Sequence, residues 1–138
     1  MGRSGHVSGN KVDYPVVGDS DLKVAKLYNM LPAEETGSAE QRTAADNATV
    51  RAVYIVGPDK KIRAMLLYPM SSGRNFEEVL RLLDSVQLTE SKGVATPVNW
   101  QSGDDVIIPP SVSDKEAKAR FPQGFTTLRP YLRTVKID

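Results

Sequence analysis

The chain has 138 residues, 40% hydrophobic and 25% charged, with 18 lysines and arginines against 17 aspartates and glutamates. That is the size of one ordinary domain with room for its own core, and charges this nearly cancelled set up no field to gather nucleic acid or an anionic membrane. There is no cysteine and one histidine, His6, which excludes disulfides and thiolate chemistry within the chain and leaves a Ser-His-Asp triad or a multi-histidine metal site almost nothing to draw on.

No apolar stretch approaches the roughly 20 residues of a membrane-spanning helix, and the start, Met1-Gly2-Arg3-Ser4-Gly5-His6, lacks the apolar run of a secretory signal. A soluble, cytoplasmic chain without a cofactor is the expectation. Residues 1–11 are Gly/Ser-rich and read as a flexible leader or cloning remnant.

Tyr14-Pro15-Val16-Val17 reads as extended, because the residue before proline is pushed toward β or polyproline geometry. Gly18-Asp19-Ser20-Asp21 then supplies N-cap chemistry. Leu22, Ala25, Tyr28 and Leu31 recur at three-residue steps, with Val24 and Leu27 widening the stripe, which predicts an amphipathic helix ending before Pro32. Residues 33–48 are polar and read as a long surface loop, with room for a short helical turn.

Thr49 to Val56 is β-branched and aromatic and apolar on both faces, as expected of a central buried strand. Gly57-Pro58-Asp59-Lys60 is a turn, and Ile62 to Tyr68 completes a hairpin that Pro69 stops. Asn75 with Glu78 has capping-box spacing. Phe76, Val79, Leu80, Leu83 and Val86 then make one apolar face, predicting a helix to about Leu88. Residues 12–90 thus resemble half of an α/β layered domain whose sheet wants further strands.

Residues 91–138 differ. Pro97, Gly103, Pro109 and Pro110 interrupt the segment, with Trp100 and Val106-Ile107-Ile108 as apolar anchors. This reads as an arm packed across something rather than a core of its own. Ser113 and Glu116 form a second capping box, opening a short helix that ends at Pro122, and Tyr131 to Val135 reads as a short closing strand.

Arg51 is the first candidate site residue, because a guanidinium inside an apolar strand costs heavily unless a partner meets it. One reading places it at the strand's start, reaching solvent or one carboxylate. The other makes it a fixed cation that binds an anion or lowers a neighbour's pKa. Arg74 lies before the second helix and is read as a loop arginine with a structural hydrogen bond. Asp59 is most simply a turn residue. Gly73 makes no phosphate loop, and Trp100 is an arm anchor rather than a ligand platform.

Taken in order, Val50-Arg51-Ala52-Val53-Tyr54-Ile55-Val56-Gly57-Pro58-Asp59-Lys60-Lys61, Tyr68-Pro69 and Gly73-Arg74-Asn75-Phe76-Glu77-Glu78 resemble the later half of 1-Cys peroxiredoxins. Val94-Ala95-Thr96-Pro97-Val98-Asn99-Trp100, Gly103-Asp104-Asp105, Pro109-Pro110 and Tyr131-Leu132-Arg133 resemble that subfamily's C-terminal extension. Tyr14 to Asp19 fits the segment before its middle helix.

The resemblance implies an α/β, partial thioredoxin-like fold (helix, β-hairpin, helix) with a C-terminal extension arm, and antioxidant peroxide reduction by one cysteine thiolate. Arg51 would match an arginine that stabilises that thiolate and polarises the peroxide O–O bond, and Arg74 a second, supporting arginine. The Pro…Thr…Cys segment that carries the family's nucleophile has no counterpart in this chain. Some relatives also show lipase-type activity with an aspartate matching Asp59, whose serine and histidine partners would lie upstream. The resemblance further implies a homodimer, or association with a chain carrying the N-terminal half. A non-catalytic dimerisation or assembly module is the alternative.

Overall fold

The computed structural model describes residues 13–31, 43 and 49–137. The leader read at 1–11 and nearly all of the loop read at 33–48 lie outside them. The chain divides into two compact units, one reaching Arg51 and the other beginning at Ala52.

In the first unit, helix α1 spans only Lys23–Leu27. Asp19 does cap it, its carboxylate accepting the backbone N–H groups of Val24 and Ala25 at 2.8 Å each. The expected run to Leu31 is corrected by the chain's own termination. Asn29 turns left-handed at φ 53°, its N–H returns to the Lys26 carbonyl, and the Met30 N–H reaches the Ala25 carbonyl at 2.8 Å. That is a Schellman cap, which satisfies the last carbonyls and ends the helix. Of the expected apolar stripe, Leu22 and Ala25 are buried while Leu27 is exposed.

Strands β1 (Arg51–Val56) and β2 (Ile62–Tyr68) form the expected hairpin. Its turn closes through Gly57 N–H to the Lys61 carbonyl and Lys60 N–H to the Gly57 carbonyl, both 2.9 Å. The expectation of a central buried strand is corrected. Among the described residues the sheet has two strands, no residue of β1 is fully buried, and Val56, Ile62, Met65 and Leu67 are exposed. A strand that is apolar on both faces needs a layer on each, and two strands do not supply it.

Helix α2 (Phe76–Lys92) starts as read, with the Asn75 side chain accepting the Glu78 N–H at 3.2 Å. It runs one turn beyond Leu88, because the left-handed cap is Gly93 at φ 61°. Its apolar residues do not share one buried face: Phe76 and Leu80 are 68% and 60% exposed, whereas Leu88 packs against the core. The buried residue of α2 is Ser85, whose hydroxyl lies 2.7 Å from that of Thr96.

Beyond α2 come β3 (Val106–Ile108), α3 (Asp114–Arg120), β4 (Thr126–Arg129) and β5 (Leu132–Val135). The three strands make an antiparallel sheet in the order β3-β5-β4, with Val106 opposite Val135 and Ile108 opposite Arg133. The capping box of α3 is present, Ser113 Oγ accepting the Glu116 N–H. The C-terminal extension is therefore there, and it corrects the expectation that it lacks a core. Val94, Trp100, Val106, Ile108, Val112, Ala117, Phe121 and Val135 form one buried cluster, with Leu88, Phe125 and Ile137 packed against it. Prolines punctuate the segment without preventing this, because they fall between its strands and helix.

Candidate functional site

Arg51 occupies the first position of β1 and is exposed. Its chain neighbours point their side chains to alternate faces, and an end position lets the long arginine stem reach water at little cost. The burial penalty that singled it out does not apply here. Arg74 is likewise exposed, in the loop before α2, next to the Asn75 cap. Arg51 closes the first unit and Arg74 belongs to the second. An exposed guanidinium acts through high-dielectric solvent, where a unit charge at 4 Å contributes about 1 kcal/mol. Either arginine becomes a strong electrostatic group only when a further segment covers it.

Asp59 is a turn residue, as read. Its Oδ1 accepts the Lys61 N–H at 3.2 Å and faces Arg63 Nη2 at 3.0 Å. The Lys61 amide, with Arg63 beside it, holds the Asp59 carboxyl below its ordinary value. Arg63 also donates through Nε to Glu90 on α2. Glu90 and then Asp59 raise the Arg63 pKa further. The hairpin is thus tied to α2 through one guanidinium with two carboxylates. On the first turns of α2, Arg81 donates to Glu78 at 2.6 and 2.8 Å, which pulls the Glu78 carboxyl down and pushes Arg81 up.

Among the described residues the buried guanidinium is one the sequence reading passed over. Arg133, in the middle strand of the C-terminal sheet, is 5% exposed. Its Nη1 donates to Asp114 Oδ1 at 2.7 Å, and its Nη2 to the carbonyls of Val112 and Pro109 at 2.5 and 3.1 Å. The signal was present in Leu132-Arg133-Thr134-Val135: with a two-residue period, Arg133 shares the face of Val135. Both terminal nitrogens are turned to its own fold, so Arg133 is a clamp and not an anion site.

A groove of about 640 Å³ is lined by Leu88, Trp100 and Val106 together with Asp84, Asp104 and Lys136. Trp100 is a core residue there, its indole N–H donating to the Asp104 carbonyl at 3.3 Å. Among the described residues no group of three or more His, Cys, Asp or Glu side chains could hold a metal ion, and no helix is long and apolar enough to cross a membrane.

These features can be set beside known proteins. Residues 85–124 match the family model described as the C-terminal domain of 1-Cys peroxiredoxin. The mitochondrial peroxiredoxin PRX1 of Saccharomyces cerevisiae is 50% identical over 125 residues, which is 91% of this chain and 46% of that protein. The 1-Cys peroxiredoxin of Dictyostelium discoideum is 48% identical over 124 residues, 89% of this chain and 47% of that protein. Among solved structures, a yeast mitochondrial 1-Cys peroxiredoxin superposes with a TM-score of 0.78 at 48% identity, covering 91% of this chain and 57% of the other. A mutant of peroxiredoxin 6 from Arenicola marina gives 0.75 at 41% identity, covering 93% and 59%.

The chain thus spans about half the length of the two curated relatives named. The α/β class, the partial thioredoxin-like fold and its extension agree with this likeness. The chain belongs to the 1-Cys peroxiredoxin family, of which it carries the C-terminal portion.

Proposed function

We propose that this chain supplies the supporting half of a 1-Cys peroxiredoxin site and does not reduce peroxide by itself. The observation that carries this reading is the absence of cysteine from a chain so like proteins named for one. Thiol-dependent peroxide reduction needs a thiolate to attack the O–O bond, and no other side chain here is a comparable nucleophile. Arg51 and Arg74 would stabilise that thiolate and the developing charge on the peroxide oxygens once a cysteine-bearing segment covers them and excludes water. No cofactor is needed for this chemistry. An aqueous, reducing compartment such as the cytoplasm suits it, and the mitochondrial name of one relative offers another.

The test is peroxide consumption with a thiol reductant and a metal chelator. The chain alone should give no turnover above buffer, and a fragment carrying the family's cysteine segment should restore it. In that reconstituted mixture Arg51→Gln should lower the rate at least about tenfold, in the range of lost electrostatic stabilisation, and Arg74→Gln less. Robust turnover by the chain alone would refute the reading.

The exposed apolar residues of the β1–β2 hairpin favour a second reading, a dimerisation or assembly module pairing through an open sheet edge. Sedimentation separates the two. Self-association without restored activity supports the module, and a compact monomer that gains activity with the fragment supports the site.

A further inference from the structure

With no thiol in the chain, its reactive sulfur is methionine. Met65 on β2 and Met70 in the turn after it are 52% and 42% exposed, whereas Met30 is half-buried. Met65 lies two residues from Leu67, hence on the same strand face, and Leu67 is exposed as well. A thioether in that position is open to oxidants, with apolar Leu67 on one side of it along the strand face and Arg63 on the other.

We infer that Met65 is a hydroperoxide-oxidisable site, and that its sulfoxide makes the exposed Met65–Leu67 patch of β2 polar. The inference rests on the proposed function only for the presence of hydroperoxide near the chain. The thioether sulfur attacks the distal peroxide oxygen, and the O–O bond breaks as the S–O bond forms. The sulfur loses two electrons, and the proton on the transferred oxygen passes to the departing hydroxide or alkoxide, giving water or an alcohol. The product is a polar, chiral group where a flexible apolar one stood, and sulfoxide reductases reverse it. The change lands on the exposed Met65–Leu67 surface of the hairpin, so oxidation lowers the affinity of that surface for apolar partners.

The experiment uses the whole chain and no second fragment, so its failure is distinct from a failure of the peroxidase reading. The chain is treated with hydrogen peroxide and its peptides are mapped by mass spectrometry. Fluorescence of the apolar dye anilinonaphthalene sulfonate is followed in parallel. Met65 and Met70 should gain one oxygen severalfold faster than Met30. Dye fluorescence should fall with Met65 oxidation and return after methionine sulfoxide reductase treatment. Met65→Leu, which keeps the apolar face without the sulfur, should hold its dye signal through peroxide, and Met65→Gln should begin low. Oxidation of Met65 no faster than Met30, or an equal dye loss in Met65→Leu, overturns the inference. If Met65→Gln unfolds by circular dichroism, the Met65→Leu comparison still decides.

Discussion

Arg133 and Asp114 meet at 2.7 Å with unequal exposure, the guanidinium almost fully enclosed and the carboxylate 78% exposed. The pair is therefore not a buried ion pair. Its buried half is satisfied mainly by two backbone carbonyls, Pro109 and Val112. Removing Arg133 takes a donor from both carbonyls, of which Pro109 keeps the Val112 N–H at 3.0 Å, whereas removing Asp114 leaves the guanidinium both of its carbonyl contacts through Nη2. Arg133→Met should lower stability by about 2–4 kcal/mol, and Asp114→Ala by at most about 1 kcal/mol. Urea melts of the two variants, followed by Trp100 fluorescence, check the order. Equal losses would mean that the ion pair, not the carbonyl clamp, holds the 109–114 segment.

The location of the core can be tested by truncation. Ile108, at 0% exposure, should lose about 2–5 kcal/mol when changed to alanine, the range for large-to-small changes in close-packed interiors. Leu80→Ala, on the exposed side of α2, should stay within about 0.5 kcal/mol. If Leu80→Ala were the costlier change, the hairpin–α2 layer and not the C-terminal sheet would be the chain's main source of stability.

Gly93 adopts φ 61°, and a Cβ built there would stand 2.8 Å from Arg120 Nη2. The guanidinium occupies that space because it donates to the Lys92 carbonyl at 2.6 Å and the Gly93 carbonyl at 3.3 Å, capping the end of α2. Gly93→Ala should cost about 1–2 kcal/mol from the left-handed backbone alone. Because Arg120 is a flexible side chain it can move aside, losing those bonds. Thermal unfolding of Gly93→Ala, Arg120→Ala and the double variant should then show less than additive losses.

Two exposed carboxylates tie local structure to pH. Asp59 is held low chiefly by the Lys61 amide and Glu78 by Arg81. A carboxyl whose pKa is depressed in the folded state binds fewer protons there than in the unfolded chain. Its contribution is complete above the ordinary values, 3.8 for aspartate and 4.5 for glutamate, and is lost as pH falls through the lower folded-state values. Their part of the stability should be flat from neutral pH to about pH 5 and decline below it. Asp59→Asn and Glu78→Gln should each flatten that acid limb, by a small amount because both groups are solvated. An unchanged acid limb in both variants would remove these pairs from the account.

Much of the fold was legible where local chemistry decides it. Asn75 and Ser113 cap the helices they were read to cap, the 57–60 turn closes the hairpin, and the strand read at Tyr131 to Val135 is present as Leu132–Val135. Helix ends were less legible, since Asn29 and Gly93 terminate by backbone reach-back that no periodicity reveals. The candidate site was legible only through the likeness to a family. Its arginines, Arg51 and Arg74, are exposed, and the arginine that is buried among the described residues, Arg133, serves the fold.

The sequence by itself determined the chemistry that is out of reach, because a chain without cysteine holds no thiolate whatever its shape, and it determined the turns and caps, which depend on residues a few positions apart. Tertiary structure alone decided where the core lies. Trp100, Ile108, Phe121 and Val135 are scattered over 36 positions among prolines and polar stretches. Only strand pairing in the order β3-β5-β4 brings them together, since burial depends on contacts between distant segments.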